Sequence, residues 1–408
     1  MLIKFDAVLK RMSFGLLCLM PLLLAVSRAG ADIALSLVAV SFLLHSMIHR
    51  RKDWLKRHEI WAMLLLWIYL SLQSLLMSDQ ATFLRSLAWL RFIMFYASVV
   101  CWLATTSQAI SWIAKITAMT AALLIIDTYW QYFHGISLSG QPYPHENRLG
   151  GPMTHPNIAN LLLKVCLPVA GIWAWWVVAR GALHIKLFAD GAALVLFALV
   201  LISGERSSSL LMLLACALIA AGLFFHDRRL RAHVILASCL LLLVIIALIA
   251  TQDVVHMRAT HLINQLAHLS ESVYGQLYIA AFHFWYENPV FGLGAGQFKY
   301  QCEAVMPLLH TTYCDVHPHN IYLEWLSETG TVGAALFITA MGLVVKSLWH
   351  KRHSTPPLLW YLPMVALAVV LWPAIVTQSI FSNWPAMLFW YSLSIAAASP
   401  SFAKRHVH

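Results

Sequence analysis

Charged side chains are scarce in this sequence. Asp, Glu, Lys and Arg together make up 11% of its 408 residues, whereas hydrophobic residues make up 61%. A soluble domain of ordinary composition carries about 25% charged residues. The scarcity of charge therefore excludes that class and predicts a membrane protein with many spans.

Several signatures of soluble chemistry are also missing. The seven cysteines fit no zinc or haem spacing, and five of them lie in apolar runs where inert burial is expected. Gly292–Gly296 is not followed by Lys-Ser or Lys-Thr and follows no predicted strand, so it indicates a tight turn rather than a phosphate loop. The first apolar run, Phe14–Val26, leads straight into further spans, which argues against a cleavable signal peptide. No internal repeat is evident.

Long apolar runs dominate what remains. Runs of about 17 to 25 apolar residues can cross a bilayer as helices, and the sequence predicts about twelve such spans, with the eleventh over Leu358–Val376. The fold expected is an all-α polytopic membrane protein. Segment Leu277–Phe291 is apolar but interrupted, and we interpret it as interfacial or re-entrant.

The basic residues predict the orientation of these spans. Most of the 27 lysines and arginines fall in alternate loops, and basic residues favour the cytoplasm, so both termini are expected there. Residues 1–250 then hold spans one to nine, with a small periplasmic loop at 133–156. Residues 251–330 form a large periplasmic loop with short helices, and 331–408 hold spans ten to twelve and a cytoplasmic tail. This topology explains the net charge of +10 without any nucleic-acid partner.

Polar, titratable and aromatic residues crowd together in His317–Gly330. Pro318 can start a helix and Gly330 can end one. The histidine pair His317 and His319 then lies at the helix entrance, where an imidazole with a pKa near ~6.5 can accept a proton. The spacing gathers four polar residues on one helical face: Asn320, Glu324, Ser327 and Glu328.

Several short motifs resemble those of the bacterial O-antigen ligase and polymerase superfamily, which are GT-C-type membrane glycosyltransferases acting on undecaprenyl-diphosphate-linked glycans. One is the run His317-Pro318-His319-Asn320. The resemblance implies that His319 is the catalytic base and that His317 assists it, with Asn320 and Glu324 in supporting positions. The segment Asn288–Gly294 is similar to the family's Pro-x-x-Gly-x-Gly motif.

Two arginines also match family motifs. Arg206 follows the turn Ser203–Glu205, and the family places an arginine after a Ser-Gly turn here, which implies that Arg206 holds the lipid-linked diphosphate. The alternatives are that it pairs with Glu205 or extends to lipid headgroups. Arg148 begins a run, Arg148–Asn157, that resembles the family's Arg-x-x-Gly turn followed by Pro-Asn, and guanidinium matches phosphate oxygens. Asn157 can cap the next helix.

One family residue is absent. Many members carry an arginine some 15 residues before the proline of the Pro-x-x-Gly-x-Gly motif, and this chain has Tyr274 there. Arg258, further upstream at a different spacing, is predicted to take over that phosphate contact.

A metal site and a disulfide are the other possibilities in the large loop. His317 and His319 could bind a metal with His310 or Asp315, but the sequence shows no closed set of ligands. We therefore expect no metal and no cofactor. Cys302 and Cys314 lie in a compartment that permits oxidation, so a disulfide between them is predicted over the alternative of two free thiols.

The resemblance implies an O-antigen ligase in the bacterial inner membrane with a periplasmic active site. The donor would be undecaprenyl-diphosphate-linked O-antigen and the acceptor a hydroxyl of the lipid A-core oligosaccharide, with membrane lipids as the surrounding partner. An O-antigen polymerase and an O-linked oligosaccharyltransferase share the motifs and are alternatives. A flippase or transporter is the alternative outside enzymes, and it predicts inverted repeats and charges near the midplane.

Overall fold

The structure, a computed structural model, describes residues 2–77, 79–145, 148–226, 228, 231–374 and 376–405. Within these ranges the chain forms helices and loops without a strand, apart from two isolated β-bridges in the loop after the sixth helix. The helices in chain order are α1 Leu2–Val26, α2 Arg28–Ile48, α3 His58–Met77, α4 Gln80–Ala88, α5 Leu90–Ser98, α6 Ser107–His134, α7 Ile158–Arg180, α8 Leu183–Ile202, α9 Arg206–His226, α10 Arg231–Thr251, α11 Asp253–Ala267, α12 Val273–Glu287, α13 Phe298–Leu309, α14 Ile321–His350, α15 Pro357–Val370 and α16 Asn383–Ala398.

Among the described residues, 11 helical segments are long and apolar enough to cross a membrane. One of them, Gln80–Leu103, combines α4, α5 and a π-helical turn at Val99–Leu103. The shorter α15 is an additional apolar helix. The prediction of an all-α polytopic membrane protein with about twelve spans is therefore confirmed.

The predicted eleventh span is wrong at its end. It was expected to reach Val376, but α15 stops at Val370 and Pro373 lies just beyond it, where a missing N–H hinders helix continuation. The described residues of the following segment, 371–382, are irregular. Their backbone groups are satisfied by α14 and the residues just before it: Thr377 N donates to the His319 carbonyl at 2.7 Å. Such backbone is tolerated in a membrane protein where other protein groups cover it.

α14 is broken at Gly330, where the sequence predicts a helix end. Gly330 has φ 64° and ψ −172°, and the helix resumes after it. The Pro-x-x-Gly-x-Gly segment packs into this break: Thr331 N donates to Pro289 O at 2.8 Å and Gly294 N donates to Glu328 O at 2.8 Å. The motif therefore supplies the backbone partners that the broken helix lacks.

Gly330→Ala is expected to destabilise the protein. A non-glycine residue at this positive φ costs about 1–3 kcal/mol, and the added Cβ would also collide with the Val290 carbonyl. We expect a lower thermal unfolding midpoint for the detergent-purified variant. Gly342→Ala is the matched control, because it lies in the same helix with open space around the new Cβ. Equal midpoints for the two variants would contradict this account.

The helices end at two opposite faces of the protein. The loop after α6, the turn before α9, the helices α11 to α13 and the start of α14 meet at one end, which we call the site face. α14 begins at this face and continues through its break at Gly330 toward the other end of the protein. Its far end lies at the opposite face, where Arg57 Nη2 donates to Ser347 Oγ at 3.1 Å and Lys351 Nζ donates to Ala397 O at 2.9 Å.

Candidate functional site

Asn320 caps α14, so the helix begins after it rather than at Pro318 as predicted. Its Oδ1 accepts hydrogen bonds from Tyr322 N at 3.0 Å and Leu323 N at 3.2 Å. This satisfies two of the backbone N–H groups that a helix start leaves open. Its Nδ2 donates to Pro373 O at 2.8 Å. Asn320 therefore joins the helix entrance to the irregular segment 371–382.

The predicted polar face of α14 points into the protein. Glu324, Ser327 and Glu328 are at most 1% exposed. Glu324 Oε2 accepts from Ile380 N at 3.0 Å, and Glu328 Oε1 accepts from Phe298 N at 3.0 Å. Both carboxylates thus hold backbone segments that surround the helix start.

His319 forms a pair with Asp315. The two are joined by a 3.0 Å contact between His319 Nε2 and Asp315 Oδ2, and this bond holds the pKa of Asp315 well below its usual range. His319 has a left-handed backbone, φ 54°, and its ring meets Tyr274 edge-on at 5.6 Å between centroids. The sequence had suggested Asp315 only as a metal ligand, although its position four residues before His319 was a usable signal.

His317 lies beside His319 but in a different environment. Its side chain is buried, 8% exposed, and its Nε2 contacts Thr377 O at 3.3 Å, so this nitrogen is the donor. Burial, and secondarily the neighbouring His319, lower the pKa of His317 to about 4. His317 is therefore neutral at pH 7, with ring centroids 4.1 Å from His319.

One cavity of about 140 Å³ joins residues from five separate parts of the chain. His319 and Tyr274 line it together with Arg148, Arg206 and Lys164. Two of the three predicted phosphate contacts and the predicted base thus share one space. Lys164 was given no role from the sequence, although a charged residue inside a predicted span is itself a signal of function.

The loop that carries Arg148 is fixed by α6. Gln131 Oε1 accepts hydrogen bonds from Gly150 N at 3.0 Å and Gly151 N at 2.9 Å. Leu149 N donates to Ser203 O at 3.0 Å, which ties the loop to the turn before Arg206. The structure therefore brings the two arginine motifs side by side.

Arg206 is the first residue of α9, and its Nη1 donates to Gln265 Oε1 at 2.7 Å. Within the part of the chain that the structure describes, Arg206 forms no ion pair with Glu205. The Glu205 carboxylate instead accepts from the backbone N–H groups of Ala159 at 2.7 Å and Asn160 at 3.1 Å. Glu205 thus caps the start of α7, where a negative charge is favourable.

Asn157 does not cap α7 as predicted. It occupies the N-cap position with φ −121° and ψ 16°, and its side chain makes no capping bond. Its Oδ1 instead accepts from Gln378 Nε2 at 2.7 Å. The carboxylate of Glu205 already serves the open N–H groups, and this leaves Asn157 to bind the segment 371–382.

Arg258 lies on α11 next to the other two arginines. Its Nη1 donates to the carbonyl of Gly204, and it lines an open cavity of about 730 Å³ together with Arg148 and Arg206. Burial, followed by the charges of those two arginines, lowers the pKa of Arg258. Three guanidinium groups this close favour an anionic ligand between them.

Three groups at the site have the chemistry of metal ligands. Asp315, His317 and His319 each offer one ligand atom, and these atoms lie within 4.8 Å of one another. His310, the other candidate from the sequence, is not in this group. Three ligands suffice for an open zinc site, so the metal alternative has a definite set of residues to test.

Cys302 and Cys314 form a disulfide with 5.9 Å between their Cα atoms. It closes the loop that leads directly into Asp315. Replacing both cysteines by serine is expected to lower the free energy of unfolding by about 2–4 kcal/mol, measured as a drop in the thermal midpoint in detergent. Cys239→Ser is the control, since Cys239 is exposed and free. Equal midpoints for the double and control variants would exclude a structural role for the bond.

The fold and the site together define a polytopic membrane protein with a cationic cavity beside an Asp–His pair. Residues 191–338 match the family model described as O-antigen ligase, and this match supports an O-antigen ligase/polymerase family protein. The matched range includes Arg206, Arg258 and His319 and leaves out Arg148. Members of this family are glycosyltransferase-like ligases and polymerases. A search of curated proteins found no match.

Proposed function

We propose that this protein is an O-antigen ligase. It transfers a glycan from undecaprenyl diphosphate to a hydroxyl of the lipid A-core oligosaccharide. The observation that carries the proposal is the single cavity shared by Arg148, Arg206 and His319. This reaction needs positively charged side chains that stabilise the leaving diphosphate and a base that takes the proton of the acceptor hydroxyl.

The arginines hold the leaving group. As the bond between the anomeric carbon and the diphosphate oxygen breaks, negative charge grows on the diphosphate, and Arg148 and Arg206 stabilise it by charge-assisted hydrogen bonds. Arg258 binds the same anion from the larger cavity. Lys164 adds a further positive charge at the cavity wall. Diphosphate is already a good leaving group, so no metal ion or cofactor enters this step.

His319 takes the proton of the acceptor. The ionised Asp315 accepts the Nε2–H of His319, which leaves Nδ1 unprotonated as the basic nitrogen. The acceptor oxygen attacks the anomeric carbon opposite the leaving diphosphate, its proton passes to His319, and the configuration inverts. Because His317 is neutral, it adds no positive charge that would weaken this base.

We place the site face in the periplasm of a bacterial inner membrane, with both termini in the cytoplasm. The support is the distribution of basic residues: the loop after α2 at the opposite face contains Arg50, Arg51 and Lys52, and basic residues favour the cytoplasm. A lipid-linked donor and a lipid-linked acceptor would then both reach the cavity from the surrounding membrane.

Deletion of the gene in its host tests the proposal. Lipopolysaccharide is separated on a gel, and the lipid-linked glycan is analysed in parallel. A ligase predicts lipopolysaccharide with core alone while lipid-linked polymer of normal length accumulates. Single repeats on the core without a ladder would instead show a polymerase. Retention of the lipid-linked glycan on the cytoplasmic side would show a flippase.

A further inference from the structure

We propose a binding site for a divalent transition-metal ion, of the class of Zn²⁺, on the face opposite the candidate active site. Its ligands are Asp6 of α1, His45 of α2 and His49, which follows the last residue of α2. This site is independent of the proposed transfer reaction, because it lies at the other end of the helices and shares no residue with the cavity around His319.

The three side chains converge on one point. His45 lies in the last turn of α2 and His49 follows directly after it. The two rings are close, with 4.9 Å between their centroids. The Asp6 carboxylate faces both: Oδ1 is 2.6 Å from His45 Nδ1, and Oδ2 is 3.2 Å from His49 Nε2. One ligand atom from each residue lies within 4.8 Å of the other two. The contact between α1 and α2 therefore holds a preformed set of three donors.

The chemistry of the donors suits a borderline metal ion. Two imidazoles and one carboxylate are common ligands of Zn²⁺, and three protein ligands leave one position for solvent. Without a metal, a proton must lie between each imidazole nitrogen and the carboxylate. A metal ion replaces both protons and binds the neutral imidazoles and the ionised carboxylate.

The surroundings provide the remaining parts of a metal site. A cavity of about 210 Å³ adjoins Asp6 and His45 and has room for water as a further ligand. The His45 ring stacks on Trp102 at 4.8 Å between centroids, which fixes its direction. The His49 side chain is 34% exposed and gives the ion a path of entry.

The charged side chains that line this cavity balance in number. Lys10 and Arg51 are positive and Asp53 is negative, so with Asp6 the cavity has two acidic and two basic side chains. A bound dication would be held by direct coordination rather than by a general negative field. Coordination would also join α1 to α2, and an ion that binds the folded state alone raises its stability.

Zinc titration of the full-length protein in detergent tests the site. The protein carries His319→Ala, which breaks the cluster at Asp315, and it is stripped with a chelator before Zn²⁺ is added against a colorimetric indicator. We expect one equivalent of Zn²⁺ to bind and to raise the thermal unfolding midpoint. Adding His49→Ala should weaken Zn²⁺ binding at least tenfold and remove the thermal shift.

His353→Ala is the matched control, since His353 is an exposed histidine outside the cluster, and it should bind Zn²⁺ like the parent. An unchanged midpoint without zinc verifies that the His49 variant is folded, and Asp6→Asn gives a second variant with the same expected loss. Equal zinc uptake by the parent and both cluster variants, or no uptake by the parent, would overturn the proposal.

Discussion

Replacing His319 by alanine is expected to reduce glycan transfer by about 10²–10⁴-fold, the usual contribution of a positioned general base. The acceptor hydroxyl would then lose its proton to solvent while the arginines still bind the donor. The rate is measured with membranes or purified protein and both lipid-linked substrates, and the lipopolysaccharide ladder of the complemented deletion strain reports it in cells. The donor should still bind to the variant.

Two variants separate the base from its surroundings. Asp315→Asn retains the imidazole but removes the charge that fixes its tautomer, so we expect a loss smaller than that of His319→Ala. His310→Ala replaces an exposed histidine of the same loop and should transfer glycan normally. Normal transfer by well-expressed His319→Ala would rule out the base.

The alternative of a metal site at Asp315, His317 and His319 predicts a different result. It requires that a chelator abolish transfer and that Zn²⁺ restore it. The base mechanism requires transfer to survive chelation in the His49→Ala variant, where the cluster on the opposite face is already broken. The same preparation thus distinguishes an imidazole that accepts a proton from one that binds an ion.

Much of the fold and part of the site could be predicted from short stretches of sequence. Apolar runs of membrane-spanning length predict helices because in lipid every backbone N–H and C=O group must be hydrogen-bonded within the protein. The helix break was predictable at Gly330, and the histidines were predictable at a helix entrance because Pro318 is a residue that often starts a helix. Each of these inferences depends on neighbours within one turn or one span.

The contacts that assemble the site depend on residues far apart in the chain. Glu205 caps a helix that begins more than 40 residues earlier, so no local rule separates this role from pairing with Arg206. The sequence predicts the start of segment 371–382 as the end of a span. Hydropathy alone cannot tell whether an apolar segment is surrounded by lipid or by other parts of the protein. Beyond the end of α15, the irregular backbone of segment 371–382 is stabilised by hydrogen bonds with Asn320 and Glu324, which lie about 50 residues or more away in the sequence.

Arg206→Ala is expected to lower transfer on the order of 10²-fold or more, and Arg258→Ala by roughly tenfold. Hydrogen bonds to charged groups contribute about 1.5–3 kcal/mol each, and guanidinium can form two of them with a phosphate. Arg206 lines both cavities, whereas Arg258 lines only the larger one and already donates to Gly204 O.

The kinetics of the two arginine variants decide whether the cavity binds a diphosphate. Loss of a contact to the leaving group lowers kcat/KM for the donor, leaves KM for the acceptor unchanged, and weakens inhibition by inorganic pyrophosphate in parallel. Arg206→Lys keeps one positive charge without the paired geometry, so it should recover part of the loss. Equal, wild-type activity of Arg206→Ala and Arg258→Ala would remove the diphosphate site, whatever the result for His319.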